Sequence, residues 1–476
     1  MNYQKTKIVA TIGPASEKYE NLVELMEKGV DTFRLNFSHG THEQHKKVID
    51  NIVRLNKEYG TYIGILADLQ GPKIRVGKIE NNGIRFEKGE ILTIVTKKEI
   101  LGTKAAVYIN YQSFASDVKV GERILIDDGK LIFEVISSNG KNKVELKTLY
   151  GGVLSSNKGV NLPNTKISLP CMTPKDLKDL DFILTQPVNW IALSFVRSHK
   201  DIGDLRKRID KVGHPAKIIA KIEKPEAIEK LDKIISASNG IMVARGDLGI
   251  EVPMEKLPGI QKMIIQKCIQ KARPVIVATQ MMESMLTNPS PTRAEISDVA
   301  NAVLDGTDAV MLSGETSVGI HPGLVVEAMT KILFETEKYF ELSDGKKPKP
   351  ARKSSTFYSD IICFTAAKTA SDIGAKGIVG LTTSGYTAFK VSSFRPKCST
   401  YIFSDRRDIL ATLNLVWGVR CYYYDRFTST DETISDVINI LKEHKQVVVG
   451  DVIINTGSMP MHRRLRTNMM KLTIVE

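Results

Sequence analysis

Two acidic residues each close an apolar run: Glu223 in "KIIAKIEK" from Lys217, and Asp247 in "IMVARGDLG" from Ile241. Carboxylates delivered by neighbouring strands can share one hard divalent cation, and an all-oxygen donor set suits Mg2+ or Mn2+ rather than zinc. Cations end other runs in the same way: Arg34, Arg75, Lys221 and Arg245. A carboxylate pair ringed by positive charge suits a phosphoryl donor bridged by a metal. Taken singly, each pair reads as a salt bridge; the convergence of several run ends makes a site. Asn36, Ser38 and His39, Asp68 with Lys73, Thr279, and Ser313 with Glu315 stand at further run ends. The stretch "SSNKGVNLP" adds Lys158 as a phosphate contact. Neither GxxxxGK[ST] nor GxGxxG occurs, so a nucleotide must be held by the scaffold itself. His39, His42 and His45 fall on a helix start and its exposed face, a poor metal site.

These residues need a scaffold that brings many strand ends together. Eight β-branched runs begin at Lys7, Asp31, Ile63, Trp190, Lys217, Ile241, Val275 and Asp308. Near-continuous apolar runs predict buried parallel strands. Helical patterns separate them. One carries Thr41 and Gln44 at capping-box spacing and stops at Gly60; another has Thr292 and Glu295, with Ile296, Val299, Ala300 and Val303 as its apolar face. Eight such units predict a (β/α)8 TIM barrel with functional residues at the C-terminal strand ends. Strand starts lie 24 to 34 residues apart except for one interval of 127 after the third. The excess over a usual unit, roughly 97 residues, has period-two alternation and Gly/Asn turns. It predicts an inserted all-β domain, placed to act as a lid. After "VVEAMTKILFETEKYF" comes a Pro/Lys-rich linker (343–355), then strand-like "GIVGLTT", "STYIFS", "VRCYYYD" and "QVVVGDVII" alternating with helices, which predict a C-terminal parallel α/β domain. The expected units are 1–70 with 169–342 (barrel), 71–168 (lid) and 355–476.

Bulk properties bound the function classes. The 476 residues are too many for one core. No apolar run reaches the ~18–20 residues of a membrane helix, and the N-terminal apolar segment is too short for a secretory signal. Five cysteines without a CxxC pair suit reduced thiols in a cytoplasmic protein. The net charge of +13 fits anionic small substrates or a basic surface; its densest clusters, 345–353 and 462–466, are short.

The strings "TKIVATIGPAS", "RLNFSHG", "GVNLP", "AKIEKPEAI", "VARGDLGIEVP", "ATQMMESM", "PTRAEISDVANAVLDGTDAVMLSGETSVG" and "LVWGV" stand in the order found in the pyruvate kinase family, which this chain resembles over nearly its whole length. The resemblance implies phosphoryl transfer from phosphoenolpyruvate to ADP, giving pyruvate and ATP as the last step of glycolysis. It implies Mg2+ or Mn2+ on Glu223 and Asp247. Lys221 and Arg34 would act on the transferring phosphoryl group, Thr279 near the enolate carbon and Ser313 in a proton relay. The backbone of Ala244, Arg245, Gly246 and Asp247 would hold the substrate carboxylate. Asn36, His39, Arg75 and Lys158 would lie on the nucleotide side, and the assembly would be a homotetramer.

One motif departs from the pattern. Many relatives have "DTKGPEIRTG" where this chain has "DLQGPKIRVG". In those enzymes Asn, Ser, Asp and Thr oxygens hold potassium. Asn36, Ser38 and Asp68 match, but the threonine is Leu69, the glutamate is Lys73 and the later threonine is Val76. The change resembles the potassium-independent branch, with the Lys73 ammonium in place of the ion and K+ not required. "TTSGYT" (382–387) resembles a loop holding a phosphorylated sugar effector, although Tyr386 replaces the usual cation; 455–472 supplies cations or is a basic surface loop. Two other readings share some of these residues. A metal-dependent barrel lyase or aldolase would use the same carboxylates but leave the lid unexplained. An RNA-binding protein would need clustered Arg/Lys with exposed aromatics, a pattern missing near the run ends, and neither nucleic acid nor membrane is expected as a partner.

Overall fold

The computed structural model describes residues 4–340, 347–426, 429–459 and 465–476. Eight parallel strands close into a barrel: β1 (Lys7–Ile12), β2 (Thr32–Asn36), β3 (Gly64–Asp68), β4 (Trp190–Leu193), β5 (Lys217–Ile222), β6 (Gly240–Ala244), β7 (Val275–Ala278) and β8 (Ala309–Leu312). The apolar runs are continuous because both strand faces are buried. Residues such as Ile8, Ile191, Ile218 and Val310 pack under the helices. Val9, Leu66, Trp190, Ile219, Met242 and Ile276 fill the barrel centre. The helix His42–Tyr59 has the Thr41–Gln44 capping box and ends on Gly60 at φ 65°; Thr292 and Glu295 box the helix Arg293–Asp305. The buried face of that second helix is Val299, Ala302 and Val303, while Ile296 is exposed.

The excess residues between β3 and the helix Pro174–Ile183 form an all-β insertion with its own core, including Phe86, Leu92, Phe133 and Leu146. Its six-stranded sheet runs in the order Val160–Asn161, Arg123–Ile126, Leu131–Ser138, Lys143–Tyr150, Ile91–Val95, Ala106–Tyr108. Burial alternates along Leu131–Ser138, with Leu131, Phe133 and Val135 inside, as the period-two pattern requires. Gly71 opens the insertion at φ 71°, and a Cβ there would strike Phe195 and Ser194 at 2.8 and 2.9 Å. Only glycine satisfies both constraints.

The C-terminal α/β domain has strands β9 (Gly377–Leu381), β10 (Ser399–Ser404), β11 (Val419–Tyr423), β12 (Val452–Gly457) and β13 (Met469–Ile474), in the order β11-β10-β9-β12-β13. The sheet is mixed, because β13 runs antiparallel to β12. The expected strand in "QVVVGDVII" begins only at Val452; Val448 and Val449 are exposed in the preceding loop. This domain seals the N-terminal end of the barrel. Leu415 packs into the barrel centre, Trp190 Nε1 donates to the Thr412 carbonyl (3.1 Å), and Arg395 pairs with Asp308 (3.0 Å). Residues 343–346 of the expected linker and 460–464 of the basic loop lie outside the described residues.

Candidate active site

At the opposite, C-terminal end the strands deliver polar groups. Lys221 and Glu223, two apart at the end of β5, point to the same side of the sheet. The Lys221 ammonium lies 2.9 Å from Glu223 Oε1, 3.3 Å from Asp68 Oδ1 and 2.8 Å from Ser194 Oγ. Arg34, on β2 beside β3, donates through Nε to Asp68 Oδ2 (2.8 Å) and through a terminal nitrogen to Thr11 Oγ1 (2.9 Å). Asp68 and Glu223 are each 1 % exposed. Four charged groups therefore share one water-poor pocket.

Burial and neighbouring charge act against each other here. Burial alone would lower the Lys221 pKa, but Asp68 and Glu223 outweigh it and hold the ammonium well above its ordinary range. Burial likewise would raise Asp68, yet Lys221 and Arg34 bring it below the usual carboxylate value. Glu223 goes the other way. Burial and the charge of Asp247 push it up despite Lys221 and the Phe195 amide, which donates to Oε2 at 2.6 Å.

That difference bears on metal binding. Among the described residues the Asp247 carboxylate makes no hydrogen bond or ion pair, and its repulsion of Glu223 is what a divalent cation relieves. Two hard carboxylate donors, one of them without a partner among the described residues, fit Mg2+ or Mn2+. No group of three or more His, Cys, Asp or Glu suited to a metal occurs among the described residues. His42 pairs with Asp179 (2.8 Å) and stacks on Phe182, and His45 stacks on Phe37.

Other expected residues fall where the strands put them, with different partners. Thr279, just past β7, has φ 71°, an uncommon and strained conformation for a β-branched residue. Its Oγ1 accepts from the Gly246 amide (2.7 Å) and donates to the Ala278 carbonyl (2.5 Å). The Arg245 guanidinium is not part of the cationic ring. It turns onto Asp298 (2.7 Å) and the carbonyls of Thr279 and Gln280, holding that strained turn in place. Ala244 caps the helix Arg245–Glu251, which carries Gly246 and Asp247 in its first turn. The Ser313 amide donates to Glu315 (2.7 Å), whose other oxygen accepts from the Met282 amide.

Asn36 stands opposite Asp68 in register, and its side-chain oxygen accepts from the Ser38 amide (3.1 Å). His39 is exposed nearby. Arg75 and Lys158 belong to the insertion, where Arg75 donates to the Asn157 carbonyl (2.9 Å) and Lys158 pairs with Asp127 (2.9 Å). Lys73 lines a cleft with Asp128, Phe195, Arg197, Lys224 and Asp247. Its ammonium has no partner among the described residues. Sequence reasoning missed Ser194, which the rule of polar strand ends could have found at the end of β4. It also missed Thr11, Asp127 and Asp298, which carry no local signal.

A family profile described as "Pyruvate kinase, barrel domain" matches residues 3–326, and "Pyruvate kinase, alpha/beta domain" matches 360–473. The chain belongs to the pyruvate kinase family. It is 42% identical over 477 residues to a pyruvate kinase of Geobacillus stearothermophilus, covering 99% of this chain and 80% of that one. A pyruvate kinase of Corynebacterium glutamicum is 41% identical over 472 residues, covering 99% and 98%. Among solved structures, a pyruvate kinase from Cryptosporidium parvum superposes with a TM-score of 0.92 at 35% identity, over 99% of this chain and 96% of that one. The family's combination of barrel, inserted β unit and C-terminal α/β unit is the one described above.

Proposed function

We infer that this chain transfers the phosphoryl group of phosphoenolpyruvate to ADP, giving pyruvate and ATP. The observation that carries the reading is Lys221 held charged between buried Asp68 and Glu223, with Arg34 on the far side of Asp68. Glu223 and Asp247 would hold Mg2+ or Mn2+, which when bound supplies positive charge to the phosphoryl and substrate oxygens.

The remaining work falls to the chain's own groups. Arg34 and Lys221 place fixed positive charge on the phosphoryl oxygens in a site of low dielectric, where it is worth far more than in water. Lys221 donates without titrating, because its neighbours keep the proton on Nζ. Thr279 Oγ1 links the Gly246 amide to the Ala278 carbonyl. It can orient the enolate, with Ser313 in the relay that protonates carbon. The first-turn backbone from Ala244 to Asp247 binds the substrate carboxylate. Asn36, His39, Arg75 and Lys158 receive the nucleotide as the lid closes.

Five finer assignments belong to the same reading. The functional units are 1–70 with 169–342, 71–168 and 355–476. Lys73 supplies the charge that relatives take from potassium, beside the Asn36, Ser38 and Asp68 remnant; tenfold or greater activation by added K+ in an otherwise K+-free assay overturns this. The protein acts in the cytoplasm as a homotetramer. A phosphorylated sugar occupies the C-terminal pocket lined by Thr382, Thr383, Ser384, Tyr386 and Arg466, which an unchanged saturation curve in its presence would refute. The reaction itself is tested by coupled detection of pyruvate and ATP, with Glu223→Gln as the inactive control.

A further inference from the structure

The insertion touches the barrel mouth at a buried ion pair that the reaction leaves without a role. Lys224 directly follows Glu223, and Glu251 lies one helical turn beyond Asp247 on the helix Arg245–Glu251. Lys224 Nζ is 2.5 Å from Glu251 Oε1, and both residues are buried. The same oxygen accepts from Asn161 Nδ2 at 3.0 Å. Asn161 ends the strand Val160–Asn161 of the insertion. Glu251 Oε2 is buried without a hydrogen-bond partner. Lys224, Asn161 and Asp247 line one cleft together with Lys73.

We propose that Asn161, Lys224 and Glu251 are positioning residues that form a latch between lid and metal site. The ion pair clamps the segment after Glu223 to the helix bearing Asp247, and so sets how far apart those two carboxylates stand. A buried pair is stiff because separating it strands a charge away from water. Asn161 is the reversible member. It is neutral, so its departure with an opening lid leaves Lys224 and Glu251 paired. Its return donates to a charged acceptor, a stronger bond than one between neutral groups. Lid closure is thereby coupled to carboxylate spacing. The proposal rests on the reading of Glu223 and Asp247 as a divalent-cation pair.

The test measures Mn2+ binding by electron paramagnetic resonance on the full-length protein, together with hydrogen exchange across 158–162 with and without phosphoenolpyruvate. Glu223→Gln should abolish Mn2+ binding; if it binds like the unaltered protein, the underlying metal reading fails and the latch with it. Glu251→Gln and Lys224→Met should weaken Mn2+ by roughly tenfold or more, the usual cost of losing a partner that orients a ligand, and Lys224→Arg should recover most of it. Asn161→Ala should keep Mn2+ affinity within about twofold in substrate-free protein. It should nevertheless lose the slowing of exchange on adding substrate, and lower kcat more than it raises KM. Normal Mn2+ affinity in folded Glu251→Gln and Lys224→Met overturns the clamp while leaving the metal site standing. Full substrate-induced protection in Asn161→Ala overturns the latch. Should Glu251→Gln and Lys224→Met not fold, the Asn161→Ala exchange result decides alone.

Discussion

Both ends of the barrel bury charge, but they treat it differently. At the N-terminal end, Asp308 Oδ2 accepts from the Val275 amide (3.0 Å) and Arg395 (3.0 Å), and Arg395 also reaches the Gly306 carbonyl and the face of Trp417. Asp31 is met by Lys7 and the Ile8 amide, and Glu337 by the amides of Lys5 and Thr6. At the C-terminal end, Asp68 Oδ1 has only the ammonium of Lys221 at 3.3 Å, and neither Asp247 nor Lys73 has a partner among the described residues. Thr279 and Phe195 have positive φ at this end, as Arg395 has at the other. Charge pairs at the N-terminal end fix one domain against another; at the C-terminal end Asp247 and Lys73, without partners among the described residues, are left for a ligand to complete.

Substitutions that exchange the two behaviours test the contrast. The largest effect is expected from Lys221→Met or Glu223→Gln at the open end. Turnover should fall on the order of 10³-fold, as when a preorganised electrostatic contact is lost. Thermal melting should change little in Glu223→Gln, which removes a carboxylate that Asp247 repels, and should fall in Lys221→Met, which leaves Asp68 and Glu223 buried without their ammonium. A turnover within tenfold of the unaltered protein would break the contrast. At the matched end, Arg395→Met strands Asp308 in the interface and should cost about 3–5 kcal/mol of stability. Calorimetry reads that loss, and kcat/KM of the folded fraction should stay within about threefold.

A smaller effect is expected at Lys73. Lys73→Glu, a reversal of charge by two units, should lower activity on the order of tenfold, roughly 1.4 kcal/mol of barrier, and added potassium should restore part of it. Restoration by sodium and potassium alike would speak against a specific cation slot.

The smallest effect is a pH slope at Glu337. Burial pushes its carboxyl above the ordinary 4.5, against the opposing hydrogen bonds from Thr6 and Lys5. Above pH 4.5 the unfolded chain gives up this proton before the folded one does, so stability falls as pH rises through that window. Relative to Glu337→Gln, the melting temperature of the unaltered protein should therefore drop from acid toward neutral pH. A flat difference would mean that the amides of Lys5 and Thr6 offset the burial of this carboxylate completely.

The scaffold was legible because burial on both faces writes apolar runs directly into the sequence, and because Thr41, Gly60, Thr292 and Glu295 are local stop and start signals. The carboxylate pair was legible because polar residues that end such runs have few other reasons to be there. Direction was not. Nothing local to "VARGDLG" says that Arg245 folds back onto Asp298 and the Thr279 turn. Nothing near Lys158 reveals Asp127, which comes from the turn after the strand Arg123–Ile126 of the insertion. Leu415 reads as an ordinary apolar residue, yet it fills the barrel centre, since only the assembled domains show which core it joins. The antiparallel β13 was hidden in a basic stretch that lacks a strand's alternation; all six of its residues are only partly buried or exposed, and pairing with β12 alone makes it a strand.

The central claim is that phosphoryl transfer occurs at the unmatched end and depends on Glu223 and Asp247. The most direct measurement is ATP formation from phosphoenolpyruvate and ADP as Mg2+ is titrated, for the unaltered protein and for Asp247→Asn. Saturable, Mg2+-dependent ATP formation is expected, and Asp247→Asn should lower it by roughly 10³-fold. Equal ATP formation by the two proteins across the titration would contradict it.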